Sequence, residues 1–349
     1  MDKLFLGLLV FVPITIAAEY FFQLSPLLIF FLAALAIIPL AKFIGEATEE
    51  LSVFTGPALG GLLNATFGNI TELLIGIFAI QQGLTEVVKA SITGSIIGNL
   101  LLVAGMAIFA GGLKHKKQIF NRTGMMASST TLLLAAIALV IPAIFLQTAP
   151  GISIDIIDKL SVFVAIFMLL AYVANLFFIL FTHKHLYTEE VGKYEPKWSK
   201  LKSIIVLIIA TAVVAWMSEI LVGAIEPVVA SFGWTELFVG VIFVAIIGNA
   251  AEHTSAITMA LKNRMDLSMQ ISIGSTTQIA MFVAPLLVLI SLFFTQPMSL
   301  VFNIFELTAI LASIIIANLV VSDGESNWFE GVQLLIAYAI IAVAFFFHP

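Results

Sequence analysis

The chain has 349 residues, of which 61% are hydrophobic and only 10% charged, and its mean hydropathy is +1.14. An ordinary soluble domain is about 45–50% apolar and about 25% charged, so the surplus apolar surface needs lipid as its solvent, which excludes a cytosolic enzyme, a nucleic-acid binder and a disordered chain. The net charge of −6 says little about partners, and the absence of cysteine excludes disulfides, thiolate metal sites, iron–sulfur clusters and cysteine nucleophiles.

A spanning helix needs about 20 mostly apolar residues. In chain order the sequence predicts eleven: 4–22, 27–44, 59–81, 85–112, 125–146, 159–182, 203–229, 235–261, 267–294, 304–321 and 329–347. The runs are apolar all round, unlike the alternating segments of a membrane barrel. The first has the flanks of a signal peptide, with Lys3 before it and Ala17 and Ala18 after it. Glu19, Tyr20 and Phe21 make a poor mature start, so it is read as a helix.

Lysine and arginine set the orientation. With the N-terminus inside and strict alternation, Lys3, Lys42, Lys114, Lys116, Lys117, Arg122, Lys184, Lys193, Lys197, Lys200, Lys202, Lys262 and Arg264 fall inside. Only Lys89 and Lys159 of the 15 basic residues fall outside, a strong positive-inside bias. The expected topology is multi-pass, N-terminus cytoplasmic and C-terminus outside. The basic loop 114–117 and the polar stretch 182–200 are then cytoplasmic, read first as topology signals.

Sliding the chain on itself by 180 residues reveals an internal repeat. GNITE at 68–72 falls on GNAAE at 248–252, Gly94-Ser95 on Gly274-Ser275, Glu46 on Glu226, Gly60 on Gly240, and Glu86 on Asp266, without a gap. The offset equals five predicted helices. Five is odd, so the copies are expected to lie in opposite orientations, the plan of many secondary transporters with a substrate site near mid-membrane. The predicted organisation is an extra N-terminal helix (1–26), a first five-helix repeat (27–182), a cytoplasmic linker (183–202) and a second five-helix repeat (203–349).

Each repeat carries a glutamate in mid-run, Glu72 and Glu252. A charge at a helix centre costs about 2.5–3.5 kcal/mol on insertion scales, and its default reading is an ion or proton pathway; the bland alternative is a protonated acid bridging two helices. Asn69 and Asn249 lie three residues earlier, on the same helix face. Gly68 and Gly248 permit close backbone approach or local unwinding. Ser95 and Asn99, with Ser275 and Gln278, share faces of the following helices. An all-oxygen shell suits a hard cation, and calcium better than magnesium. Two carboxylates neutralise one divalent ion. Without it they repel in low dielectric, and taking up protons relieves the repulsion. A site that must hold either a divalent cation or protons is the minimum machinery of an antiporter. His253 points about 100° away from Glu252, so it is a packing residue or a group for gating or proton exchange.

These segments are familiar. GGLLNATFGNITELLIGIFAI (60–80), ASITGSIIGNLLLVAG (90–105), GNAAEHTSAITMALKN (248–263) and GSTTQIAMFVAP (274–285) closely resemble the cation/proton exchanger family, the calcium/proton antiporter branch of the calcium–cation antiporter superfamily. The resemblance runs from about residue 27 to the end. It implies an all-α membrane fold with eleven spans, calcium export from the cytosol in exchange for protons, and no cofactor, calcium being the transported substrate. It implies Glu72 and Glu252 as calcium and proton carriers, with Asn69 and Asn249 on the same helices of the site and Ser95, Ser275 and Gln278 at polar positions of the following helices. Glu46 and Glu226 would lie on a proton or ion path. Eukaryotic members often carry a long acidic stretch between the halves; here only Glu189, Glu190 and Glu195 stand there, which suggests a compact prokaryotic-type exchanger of the cell membrane.

A sodium-coupled calcium exchanger is the nearest rival. That branch typically shows proline before the repeat glutamate, and here Thr71 and Ala251 stand there. A cation channel is the second, although a pseudo-symmetric chain with one acid pair suits alternating access better. An intramembrane metalloprotease would need something like HExxH, which is missing. Asp323, Glu325 and Glu330 stand in the one inside loop without a basic residue, read as a solvated turn. The sequence admits a homo-oligomer without indicating one.

Overall fold

A computed structural model describes residues 3–183 and 196–348, apart from the side chains of Pro57, Ala58 and Ala65. The predicted linker at 183–202 thus falls largely outside the described residues. A broken first span comprises α1 (Lys3–Leu8) and α2 (Phe11–Tyr20). Proline at the first turn opens α3 (Pro26–Phe67), which is kinked at Gly56. Then come α4 (Ile70–Gln81), α5 (Thr85–Ile97), a π-helical stretch at Gly98–Val103, and α6 (Ala104–Lys114). Strand β1 (Gln118–Ile119) leads to α7 (Arg122–Thr148) and α8 (Ile154–Phe177), which ends in a π turn at Phe178–Thr182.

The second half opens with α9 (Lys200–Gly223) and α10 (Ile225–Phe232). A short α11 (Glu236–Phe238) runs through π-helical Val239–Val244 into α12 (Ala245–Gly248), followed by α13 (Ala250–Leu261). Next are α14 (Met265–Gln278), π-helical Ile279–Val283, α15 (Ala284–Ser291), α16 (Ile304–Val321), β2 (Glu325–Ser326) and α17 (Trp328–Phe347). Both α16 and α17 start with complete capping boxes, Asn303 with Glu306 and Asn327 with Glu330. The strands pair antiparallel, Gln118 opposite Ser326 and Ile119 opposite Glu325.

The protein is an all-helical, multi-pass membrane protein. Among the described residues, nine helices are long and apolar enough to cross a membrane, and Glu236–Gly248 with Ala250–Leu261, bent by 59°, makes a tenth. The predicted span 59–81 is not one helix. The backbone leaves helical geometry at Asn69 (φ −110°, ψ 23°), and α4 has only 12 residues. Asn249 (φ −91°, ψ 15°) breaks the predicted span 235–261 in the same way. Hydropathy counts apolar side chains and is blind to a dihedral change at one residue, so both segments read as continuous.

The element boundaries recur at the 180-residue offset. Helices α4 and α13 start and stop 180 residues apart, and α5 and α14, like α6 and α15, start at the same interval. The packing does not recur. Helix α5 lies directly on the Val239–Val244 stretch: a Cβ added at Gly94 would strike the Val241 carbonyl, and one added at Gly240 would fall 2.5 Å from the Cβ of Ala90. Gly274, 180 residues after Gly94, has nothing within 4 Å of such a Cβ.

This asymmetry predicts different fates for equivalent substitutions. Gly94→Ala overpacks a backbone contact and should cost about 1–3 kcal/mol, read as a clear drop in the thermal midpoint of the detergent-purified protein. Gly274→Ala should leave that midpoint within experimental error.

Candidate ion-binding site

Glu72 and Glu252 are each the third residue of a helix that starts in mid-bundle behind an asparagine, α4 behind Asn69 and α13 behind Asn249. A helix start presents unpaired N–H groups and the positive end of the helix dipole, which offsets part of the cost of holding a carboxylate away from water. Glu72 is only 6% exposed, whereas Glu252 is half-buried. Each acid lies within electrostatic reach of the other.

The two halves hold each other at this point. Asn249 Nδ2 donates to Ser95 Oγ at 2.8 Å and to the Ala245 carbonyl at 2.8 Å, and its Oδ1 accepts from Asn99 Nδ2 at 2.9 Å. Asn99 Nδ2 also donates to Ser275 Oγ at 3.1 Å. Asn69 Nδ2 donates to Gln278 Oε1 at 2.5 Å, and Ser275 Oγ donates to Asn69 Oδ1 at 3.5 Å. The asparagine before each glutamate is thus held by the helix that follows the other glutamate. The structure brings all six predicted support residues into one network.

Gly248, just before the break, packs closely on Glu72. A Cβ on Gly248 would lie 3.0 Å from Glu72 Cγ and 3.2 Å from its Cδ and Oε1. Glycine lets the second-half backbone approach the first-half carboxylate without displacing it. Gly68, at the equivalent place, lies beside Gln278: a Cβ there would be 3.8 Å from Oε1.

What the network leaves unpaired defines its chemistry. Among the described residues, both carboxylate oxygens of Glu72, Oε2 of Glu252 and Oδ1 of Asn99 are buried without a hydrogen-bond partner. Native proteins pair almost all such atoms. All four are acceptors, so a cation or added protons would satisfy them and a further acceptor would not. From Glu72 a narrow cleft runs toward the α4–α5 turn, lined by Gly76, Val88, Ser91, Ile92, Ser95 and Leu287 among others.

The remaining predicted residues stand apart. Glu46 is half-buried on α3. Glu226 is exposed at the start of α10 and within electrostatic reach of Glu236, as is Glu86. Neither Glu46 nor Glu226 joins the amide network. His253 is half-buried on α13, also outside the network. Sequence reasoning missed Ser91, which has no polar partner at the 180-residue offset because Ile271 stands there. It missed Glu306, 1% exposed, whose Oε1 accepts from Thr93 Oγ1 at 2.9 Å and whose Oε2 accepts from the Asn303 N–H. It also missed Glu50, whose Oε2 accepts the Lys197 and Trp198 N–H groups at 2.8 and 3.1 Å. Glu306 stands in the first turn of α16 and Glu50 between the predicted spans 27–44 and 59–81, places where an acid reads as solvated.

Paired carboxylates in a cross-braced membrane bundle define an ion-transport protein. The model of the sodium/calcium exchanger protein family matches residues 25–181 and again residues 202–347, and the chain belongs to that family. It is 47% identical over 366 residues to a Ca(2+)/H(+) antiporter of Synechocystis sp., covering 100% of this chain and 98% of that one. It is 49% identical over 343 residues to the Ca(2+)/H(+) antiporter ChaA of Bacillus subtilis, covering 96% of each. The solved structure of native YfkE superimposes with a TM-score of 0.86 at 45% identity, over 99% of this chain and 100% of that one.

Gly248→Ala should displace the Glu72 carboxylate by a few tenths of an ångström or more. We expect cation affinity to fall at least about tenfold, the scale of losing support to a metal-binding group, with Tm little changed. Calcium-dependent stabilisation in a thermal shift assay checks both.

Proposed function

We propose that the protein is a secondary antiporter that exports calcium from the cytosol in exchange for protons, by alternating access at Glu72 and Glu252. The observation that carries this reading is the set of buried, unpaired acceptor oxygens on Glu72, Glu252 and Asn99. The names of the cyanobacterial and Bacillus relatives support it.

Calcium takes six to eight oxygen ligands in flexible geometry. Two carboxylates supply up to four. Asn99 Oδ1, the hydroxyls of Ser95 and Ser275, backbone carbonyls and retained water are at hand for the rest. Two protons neutralise the same site when the ion leaves. Neither load can be omitted cheaply, because an unpaired carboxylate in a low-dielectric interior costs several kcal/mol. The empty, fully charged site is therefore a poor state in which to switch sides. That penalty couples the two fluxes.

The halves 27–182 and 203–349 are read as five-helix repeats of opposite orientation joined by the linker 183–202, giving eleven crossings when the pieces on either side of Asn69 are counted as one. The positive-inside bias of the basic residues supports an N-terminus in the cytosol. Half-buried Glu252 continues along α13 into half-buried Thr254, exposed Ser255 and half-buried Thr258, a polar edge suited to a hydrated cytosolic entrance. Contact of α5 with the Val241 backbone narrows the other side. Sodium coupling is the competing reading, and the site as described contains two acids and no third.

Calcium movement in proteoliposomes under an imposed pH gradient tests the proposal. We expect calcium to accumulate against its gradient as protons flow the other way, with no need for sodium, and Glu72→Gln and Glu252→Gln to fall to background. A requirement for sodium, or a fully active Glu72→Gln, would overturn it.

A further inference from the structure

We propose that Gln118, in the α6–α7 connection, is a positioning residue for Glu252: it latches the far end of α13 and so fixes the height of that carboxylate in the site. This rests on the two-glutamate reading above.

Every helix ends with carbonyls that lack intrahelical partners. At the end of α13 the following turn supplies backbone donors to Thr258, Met259 and Ala260, and side chains from the other half add bonds to the Ala260 and Leu261 carbonyls. Gln118 is 2% exposed, and its Nε2 donates to the Ala260 carbonyl at 2.9 Å and to Asn263 Oδ1 at 3.0 Å. Lys114 Nζ donates to the Leu261 carbonyl at 3.0 Å, and His115 Nε2 lies 3.3 Å from the same oxygen. The Asn121 N–H donates to Asp266 Oδ1. The connection is itself held by the β1–β2 pairing, by Phe120 N–H to the Gly324 carbonyl at 3.0 Å, and by the Lys117–Glu325 ion pair at 2.5 Å.

The internal repeat supplies the control. The α4–α5 turn is the counterpart of the α13–α14 turn. Its left-handed residue is Gly83 (φ 80°), and 180 residues on stands Asn263 (φ 57°). Glycine takes that conformation freely and asparagine tolerates it. The asparagine adds an acceptor, and Gln118 uses it. The counterpart of Gln118 is Met298, equally buried at 2% and without a donor. So one turn has the pair Asn263 and Gln118, and the other has Gly83 and Met298. Gln296 does lie beside Gly83, its Oε1 3.3 Å from where a Cβ would stand, but the glycine offers it no side-chain acceptor, so the bond between Gln118 and Asn263 has no counterpart there.

The consequence for the site is mechanical. Ser95 and Asn99 hold Asn249 at the start of α13, and Gln118 holds its end. Glu252 lies between two anchors, about 12 Å along the helix from Ala260. Helix α4 has the corresponding anchor at Asn69, but no side-chain hydrogen bond reaches its C-terminal carbonyls among the described residues. Helix α13, which carries Glu252, is thus held by side chains of the other half at both ends, and α4, which carries Glu72, at its start alone.

Two substitutions that copy the other turn test this. Gln118→Met keeps volume and loses the donor; Asn263→Gly keeps the turn and loses the acceptor. Each should raise the calcium concentration for half-maximal transport about tenfold, with maximal rate within about twofold. The double variant should be no worse than Gln118→Met, because the bond lost in Asn263→Gly is one of the two lost in Gln118→Met. Backbone hydrogen exchange should quicken at 261–266 and stay unchanged at 82–84. Unchanged half-saturation, effects that multiply in the double variant, or faster exchange throughout the bundle would each overturn the latch. The exchange measurement needs no transport. If the unsubstituted protein fails to move calcium against protons, the functional reading falls and exchange at 261–266 still decides whether the latch exists.

Discussion

The structure turns on one electrostatic problem: two carboxylates that cannot be left charged and alone in a low-dielectric interior. Most buried acids are satisfied by donors. Here the nearby amides and hydroxyls are spent on one another across the two halves, and the acids are left as acceptors. That arrangement keeps the site rigid while reserving its charge for a passenger. In the proposed exchange cycle the ordinary cost of burial supplies the coupling, since the cheap states are those in which cation or protons are present.

Geometry follows from the same constraint. A carboxylate near mid-membrane profits from a helix start, so each glutamate helix begins inside the bundle rather than at its surface. The broken backbone at Asn69 and Asn249 is the local price of that placement. Each break would leave a flexible joint, and the opposite half closes it: Ser95 and Asn99 brace Asn249, while Ser275 and Gln278 brace Asn69. Crossed bracing ties the two glutamates into one site, so that movement of either half is felt by both.

Repetition of sequence does not yield repetition of packing. Gly94 lies against the backbone of Val241, whereas Gly274 faces open space. Glu72 is buried and Glu252 half-buried. Two copies built to one plan occupy different environments. The differences at Gly83 and Asn263, and at Met298 and Gln118, add an asymmetry written into the chain itself.

The sequence by itself determined the solvent and the class of fold, and it singled out the candidate site residues. Apolar runs of helical length require lipid, and a charge that is expensive at a helix centre stands out against them, so Glu72, Glu252 and their polar neighbours were legible from spacing alone. Tertiary structure decided the rest. Asn69 and Asn249 break their helices through backbone dihedrals that hydropathy does not register. Gly248 packs against a glutamate 176 positions away, and Gln118 bonds to a carbonyl in the other half. Glu306, legible only as an acid near a helix end, is buried because Thr93 and its own cap receive it. Spacing along the chain reports which residues share a helix face, but only the folded bundle reports which faces meet.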